Sequence, residues 1–138
     1  MGKSIKVYLH KALGSDRYLG RVDAENGDVF RARFGPDQRI GRVDIESGQV
    51  YGSRLGPDVY LGKMDTRDGK IFRHRLGPDD YIARVEPDGK IYRHVSLGPD
   101  DYVGRITDGE VPGVAAAAYF LLIEPEIDGP DPDEEPPG

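Results

Sequence analysis

A six-residue phrase returns at a fixed spacing of 21 residues along most of this chain. Tyr18-Leu-Gly-Arg-Val-Asp23 is followed by Arg39-Ile-Gly-Arg-Val-Asp44, Tyr60-Leu-Gly-Lys-Met-Asp65, Tyr81-Ile-Ala-Arg-Val-Glu86 and Tyr102-Val-Gly-Arg-Ile-Thr107. A second phrase alternates with it, in Val29-Phe30-Arg31, Val50-Tyr51-Gly52, Ile71-Phe72-Arg73 and Ile91-Tyr92-Arg93. A period this short marks one supersecondary unit that buries its apolar face only against its neighbours. Both phrases are β-branched and aromatic and are bounded by turn residues, so both predict strands. Asn26-Gly27, Ser47-Gly48, Asp68-Gly69, Asp88-Gly89 and Asp108-Gly109 link the first phrase to the second and supply the positive φ of a tight hairpin. Gly-Pro-Asp, beginning at Gly35, Gly56, Gly77 and Gly98, makes the opposite connection, with Pro at a fixed φ suited to a turn. Connections this short leave no room for crossover helices, so neighbouring strands run antiparallel.

The two ends carry complementary halves of the unit. Lys6-Val7-Tyr8-Leu9-His10 matches Lys90-Ile91-Tyr92-Arg93-His94, so the chain opens on a second-type strand, and it closes on the first-type strand from Tyr102 to Thr107. Ten strands and five hairpins result, one hairpin being split between the ends. An open meander would expose two edges, and matching halves are what ring closure would use. The predicted fold is all-β: a closed, ten-stranded antiparallel up-and-down barrel with approximate fivefold symmetry over residues 5–110. A propeller is disfavoured because its blades need about 40 residues. An open two-sheet sandwich is the alternative architecture.

The Tyr-Val/Ile/Leu-Gly-Arg-Val-Asp hairpin repeat, with Asp-Gly, Ile-Tyr-Arg-His, Leu-Gly-Pro-Asp and a closing Ala-rich apolar segment, resembles the bacterial β-flower proteins over residues 5–123. The resemblance implies a shallow symmetric barrel with hairpin petals and an apolar channel. It implies no biochemical role, and a geometric likeness to tubby-type barrels points to lipid or membrane association only by analogy.

Strand alternation assigns faces. Tyr18, Gly20 and Val22 share one side of a first-type strand, and Phe72, His74 and Leu76 one side of a second-type strand. As the less charged sets, both are expected to point inward. That lines the wall with small residues, Gly20, Gly41, Gly62, Ala83 and Gly104, and glycine within a strand signals a bulge or a close approach by another element. Val114-Ala-Ala-Ala-Ala-Tyr-Phe-Leu-Leu-Ile123 offers such an element, apolar all round as a buried helix is. Ten helical residues extend ~15 Å, which matches the depth of a barrel of tilted six-residue strands. Residues 111–123 are therefore expected to plug the barrel with Tyr119, Phe120, Leu121, Leu122 and Ile123, the alanines lying against the glycines. Interfacial membrane contact is the alternative for this segment, which is too short to span. An eleventh strand is disfavoured by the alanines.

The formal charge of −6 is unevenly placed. Seven acids lie in 124–138, and without them 18 acids face 19 bases, so the body is close to neutral. The Pro- and Asp-rich tail cannot bury enough apolar surface to order itself and is expected to be disordered. Cysteine is absent, which removes disulfides and thiolate chemistry. The N-terminal residues make neither a signal peptide nor a myristoylation motif, and a cytoplasmic, monomeric protein is expected.

Arg21, Arg42, Lys63, Arg84 and Arg105 form a basic ring, four of them followed two positions on by Asp23, Asp44, Asp65 or Glu86. Charge pairing on a solvated outer wall explains such a repeat, to which Arg31, Arg33, Arg54, Arg73, Arg75 and Arg93 add. The sharper alternative is an anion or phosphoinositide headgroup site. Nucleic acid is disfavoured by the overall charge. His10, His74 and His94 are equivalent but lie on strands ~9.6 Å apart, too far to share one metal ion unless they converge. The repeating tyrosines are core or rim packing, and no nucleophile, zinc, Walker or dinucleotide motif is present. No cofactor is expected. The expected function is a non-catalytic scaffold or interaction module with a protein or lipid partner. The alternative is a lipid- or membrane-surface-binding module using the apolar channel or the C-terminal segment.

Overall fold

Each 21-residue unit folds as an antiparallel hairpin and the hairpins close into a ring. A computed structural model describes residues 3–53, 57–107 and 113–128. The odd strands are β1 (Ser4–Leu9), β3 (Asp28–Arg31), β5 (Gln49–Gly52), β7 (Lys70–Arg73) and β9 (Lys90–Arg93). The even strands are β2 (Arg17–Asp23), β4 (Gln38–Val43), β6 (Val59–Met64), β8 (Asp80–Val85) and β10 (Asp101–Ile106). Every strand pairs with its sequence neighbours, and β1 pairs with β10, giving a closed ten-stranded antiparallel barrel. At that seam Val7 faces Ile106, and the Thr107 amide donates to the Lys6 carbonyl at 3.1 Å. The expected closure through complementary ends is what the chain does. Asp108-Gly109 and Pro112 lie outside the described residues, as do Arg54, Gly56 and the tail beyond Asp128.

Two kinds of turn define two mouths. Gly27, Gly48, Gly69 and Gly89 take φ of 76 to 92° at one mouth, as the hairpin glycines should. They also admit the neighbouring hairpin: a Cβ on Gly27 would stand 1.9 Å from the Val43 carbonyl oxygen. Among the described residues, the Gly-Pro-Asp connections at Gly35, Gly77 and Gly98 and the Gly14-Ser15-Asp16 turn form petals at the opposite mouth.

The interior differs from simple alternation in two ways. In its pairing with the preceding odd strand each even strand has a β-bulge, which skips Leu19, Ile40, Leu61, Ile82 and Val103 in turn. Two successive residues, such as Leu19 and Gly20, are therefore both buried, while Tyr18 is turned outward and 40% exposed. On the odd strands the inward set is Val7, Val29, Val50, Ile71 and Ile91, all fully buried. Phe72, His74 and Leu76, expected inside, are outside instead: Phe72 pairs in register with Lys63 of the outer wall and stacks on Tyr81, and Leu76 is 99% exposed. Charge misassigned this strand. Arg31, Arg73 and Arg93 share the inward side, where the end of the C-terminal helix supplies their partners.

That helix passes through the barrel. It comprises an α-helical turn, Gly113–Ala117, a π-helical segment, Ala118–Ile123, and a further α-helical turn, Glu124–Asp128. Val114 to Ile123 are all buried in one core with the strand interiors. The helix enters beside the hairpin turns, with Gly113 against Ile45 and Gly48, and leaves at the petal mouth. Its large side chains occupy the space that the bulge glycines leave. A Cβ on Gly62 would stand 2.6 Å from Phe120, one on Gly41 2.7 Å from Leu121, and one on Gly104 2.7 Å from Ile123. The glycines thus accommodate the aromatic and aliphatic residues, and the expected alanine–glycine contact is replaced by these pairs. Alanine has no bulk to fill the gap a bulged glycine opens.

The helix runs five residues past Ile123 because the barrel accommodates Pro125. Proline offers no N–H to the carbonyl four residues before it, here Leu121. That carbonyl accepts instead from Arg31 Nη2 at 3.1 Å. One step earlier the ladder widens to π spacing, the Glu124 amide donating to the Tyr119 carbonyl. Arg73 pairs with Glu124 and Arg93 with Asp128 at 2.9 Å, cations at a helix C-terminus where its dipole favours them. The equivalent position on β5 is Gly52, which leaves room for Leu61 and Leu121.

Replacing Leu122 with Asp places an uncompensated carboxylate in the barrel axis and should cost at least about 3 kcal/mol. The double variant Leu121→Asp, Leu122→Asp should lose cooperative thermal unfolding altogether. Calorimetry checks both, and an unchanged melting temperature would remove the helix from the barrel.

Candidate interaction surface

The outer wall is a girdle of stacked cations and rings. Cross-strand register sets Arg21 opposite Phe30, Arg42 opposite Tyr51, Arg84 opposite Tyr92 and Arg105 opposite Tyr8. Each guanidinium carbon lies 4.1 to 4.3 Å from the facing ring centroid, in cation–π geometry. The same guanidinium reaches the aspartate of the next petal. Arg21 contacts Asp37 at 3.2 Å, Arg42 contacts Asp58 at 2.9 Å, and Arg84 contacts Asp100 at 2.9 Å. Arg105 contacts Asp16 at 3.1 Å, which carries the pattern across the seam from last hairpin to first. The partners differ from those the sequence suggests. Only Arg84 also meets the acid two positions on, Glu86, whereas Asp23, Asp44 and Asp65 accept from backbone amides in their own hairpin turns.

Lys63 breaks the ring. Among the described residues it makes no ion pair, and a shallow hollow of about 570 Å³ opens beside it, lined by Asp65, Arg67, Phe72 and Asp79. An ammonium offers no planar face to stack and no fork to divide between ring and carboxylate. Elsewhere in the girdle the guanidiniums are already committed to a ring and a carboxylate, leaving little for a bound anion.

The histidines belong to the petals. His10, His74 and His94 stack on Tyr102, Tyr60 and Tyr81 at centroid distances of 4.1, 4.9 and 4.4 Å. Their Nδ1 atoms face Asp16, Asp79 and Asp100 at 3.4, 3.7 and 3.2 Å. Each histidine is thus held in its own petal, and no three His, Asp or Glu side chains among the described residues converge as a metal set. The petal aspartates have three tasks. Asp100 accepts from the Val95 amide, faces His94 and accepts from Arg84. The bond from Arg84 is the largest cause holding its carboxyl below the ordinary aspartate range, against opposing burial. Ser53 and Arg42 lower Asp58 in the same way. Burial acts to raise Asp16, but the Lys11 amide and Arg105 outweigh it and the group is lowered.

The residues that sequence reasoning missed stand at the petal tips. Leu13 is 91% exposed, Phe34 107%, Leu76 99% and Leu97 96%, and Leu55 of the remaining petal lies outside the described residues. Each directly precedes the glycine of its turn. That glycine has nothing within 4 Å of an added Cβ in Gly14, Gly35, Gly77 or Gly98, so the tips stand clear of the body. A large apolar residue held at the one turn position with no packing partner was the available signal. By contrast Tyr119 to Ile123 are buried. Burial pushes the Tyr119 hydroxyl up to about 12, so it stays protonated under physiological conditions. Among the described residues no helix is long and apolar enough to cross a membrane.

Carboxylates whose folded pKa is depressed contribute stability above their unfolded pKa, and that stability is lost as pH falls through the folded value. The melting temperature should therefore hold from pH 7 to about 5 and fall below about pH 4. Asp100→Asn should reduce this acid-side fall, and calorimetry across pH checks both statements.

No protein-family model matches the chain, and neither a curated protein nor a solved structure matches it.

Proposed function

We propose that this chain is a non-catalytic interaction module, a small barrel that presents its petal tips to a partner. One observation carries the proposal: every described petal holds a large apolar side chain almost wholly exposed at the same turn position. Exposed Leu or Phe is ordinary when scattered singly, but a matched set at one mouth is the kind of surface that a partner covers. The histidines, petal aspartates and girdle arginines hold neighbouring petals together through stacking and ion pairs, which supports a rigid binding scaffold. The alternative, lipid binding through the channel or the C-terminal segment, has its apolar segment already buried in the barrel, which favours the tips as the working surface. Membership of the bacterial β-flower proteins is part of this proposal, supported by the closed ring of hairpins and the plugged channel.

A photo-reactive phenylalanine analogue at Phe34 or Leu76 should form adducts in cells that express the protein naturally. The same analogue at Thr66, exposed at the opposite mouth, should form none. Adducts from Thr66 alone, or from neither mouth, would overturn the proposal.

A further inference from the structure

We propose that the petal mouth docks on the surface of a phospholipid bilayer, with the apolar tips entering the headgroup layer. This rests on the tips being the working surface and adds what they meet. Three features of the mouth favour a lipid interface over a folded partner.

The first is geometric. Each petal joins an odd strand to the following even strand, so the described tips, Leu13, Phe34, Leu76 and Leu97, rise from one end of a closed ring. A laterally uniform plane receives a ring of separate single side chains at any rotation. A folded protein would need a matching pocket for each tip.

The second is layering. Immediately behind the tips, at the petal ends of the even strands, stand Tyr18, Tyr60, Tyr81 and Tyr102. Tyr18, Tyr60 and Tyr102 are part-exposed, and each ring stacks on Tyr8, Tyr51 or Tyr92 of the adjoining strand. Apolar tips backed by amphipathic rings reproduce the order of a membrane interface, where tyrosine sits at headgroup depth.

The third is charge. Asp16, Asp37, Asp58 and Asp100 are drawn back onto the girdle arginines. Beside the tips, Lys11 and Arg33 are exposed and make no ion pair among the described residues. Arg75 meets only the equally exposed Asp80, at 3.4 Å. These cations stand on the same loops as Leu13, Phe34 and Leu76, where their stems lie along the apolar layer and their heads reach phosphates.

The full-length chain should co-sediment with vesicles of equimolar phosphatidylcholine and phosphatidylserine, and added salt should weaken this. Changing one tip, as in Leu76→Ser, should lower the vesicle partition coefficient about threefold. The fourfold variant Leu13→Ser, Phe34→Ser, Leu76→Ser, Leu97→Ser should lower it on the order of a hundredfold, because independent insertions multiply. The tips pack against nothing, so the variants should keep the wild-type melting temperature. The chain has no tryptophan, so Phe34→Trp introduces a single reporter. Its emission should shift to the blue on vesicles and be quenched by brominated lipid, while Thr66→Trp should show neither effect. Vesicles that leave Phe34→Trp unchanged would overturn the membrane inference. If the tips still form adducts with a protein in that case, the interaction module stands without it, and absence of tip adducts as well would overturn both.

Discussion

Everything in this molecule depends on the close approach of the C-terminal helix to the bulged glycines. A ten-stranded ring encloses more space than its own side chains fill, and unfilled apolar space forfeits both burial and dispersion. Leu121, Leu122, Phe120 and Ile123 fill it because Gly41, Gly20, Gly62 and Gly104 have no Cβ. The bulges add a second buried residue beside the small one, so that Leu19 is buried next to Gly20, whose open side meets Leu122. Bulge, glycine and helix form one device repeated around the axis. Glycine inside a strand is unfavourable in isolation, and here the contact it permits offsets the cost.

The helix is held at its exit by charge. Arg31, Arg73 and Arg93 leave the inner wall for the carbonyl of Leu121 and the carboxylates of Glu124 and Asp128. Burial still dominates at Glu124, whose carboxyl is raised despite Arg73. Proline within the helix, the π-helical widening and the arginine on the freed carbonyl thus belong together. The outer wall uses the same residue type differently: there each arginine stacks on a ring, reaches the next petal and couples neighbouring hairpins in sequence order. The inner arginines bind ring to helix, and the outer ones bind petal to petal.

Much of the architecture was legible because it is local. The 21-residue period, the strand phrases, the hairpin glycines and the complementary ends each need only a few neighbouring residues to be interpreted. The faces of the odd strands were not. Arg73 and Arg75 looked like an outward set, yet Arg73 is turned inward by a carboxylate 51 residues away. Tyr18 was expected inside, and a single skipped residue in the pairing turned it out. The petal tips were hidden by the same error, since Leu76 was counted with an inward face that does not exist.

The sequence by itself determined the repeat, the antiparallel order, the closure and the presence of a buried apolar helix, because turn chemistry and strand propensity act over a few residues. Tertiary structure alone decided which side of each strand is interior, which side chains meet the glycines, where the arginines find their partners and which apolar residues remain uncovered. Those outcomes depend on contacts between segments distant in the chain, and a one-residue bulge is enough to exchange the two faces of a strand.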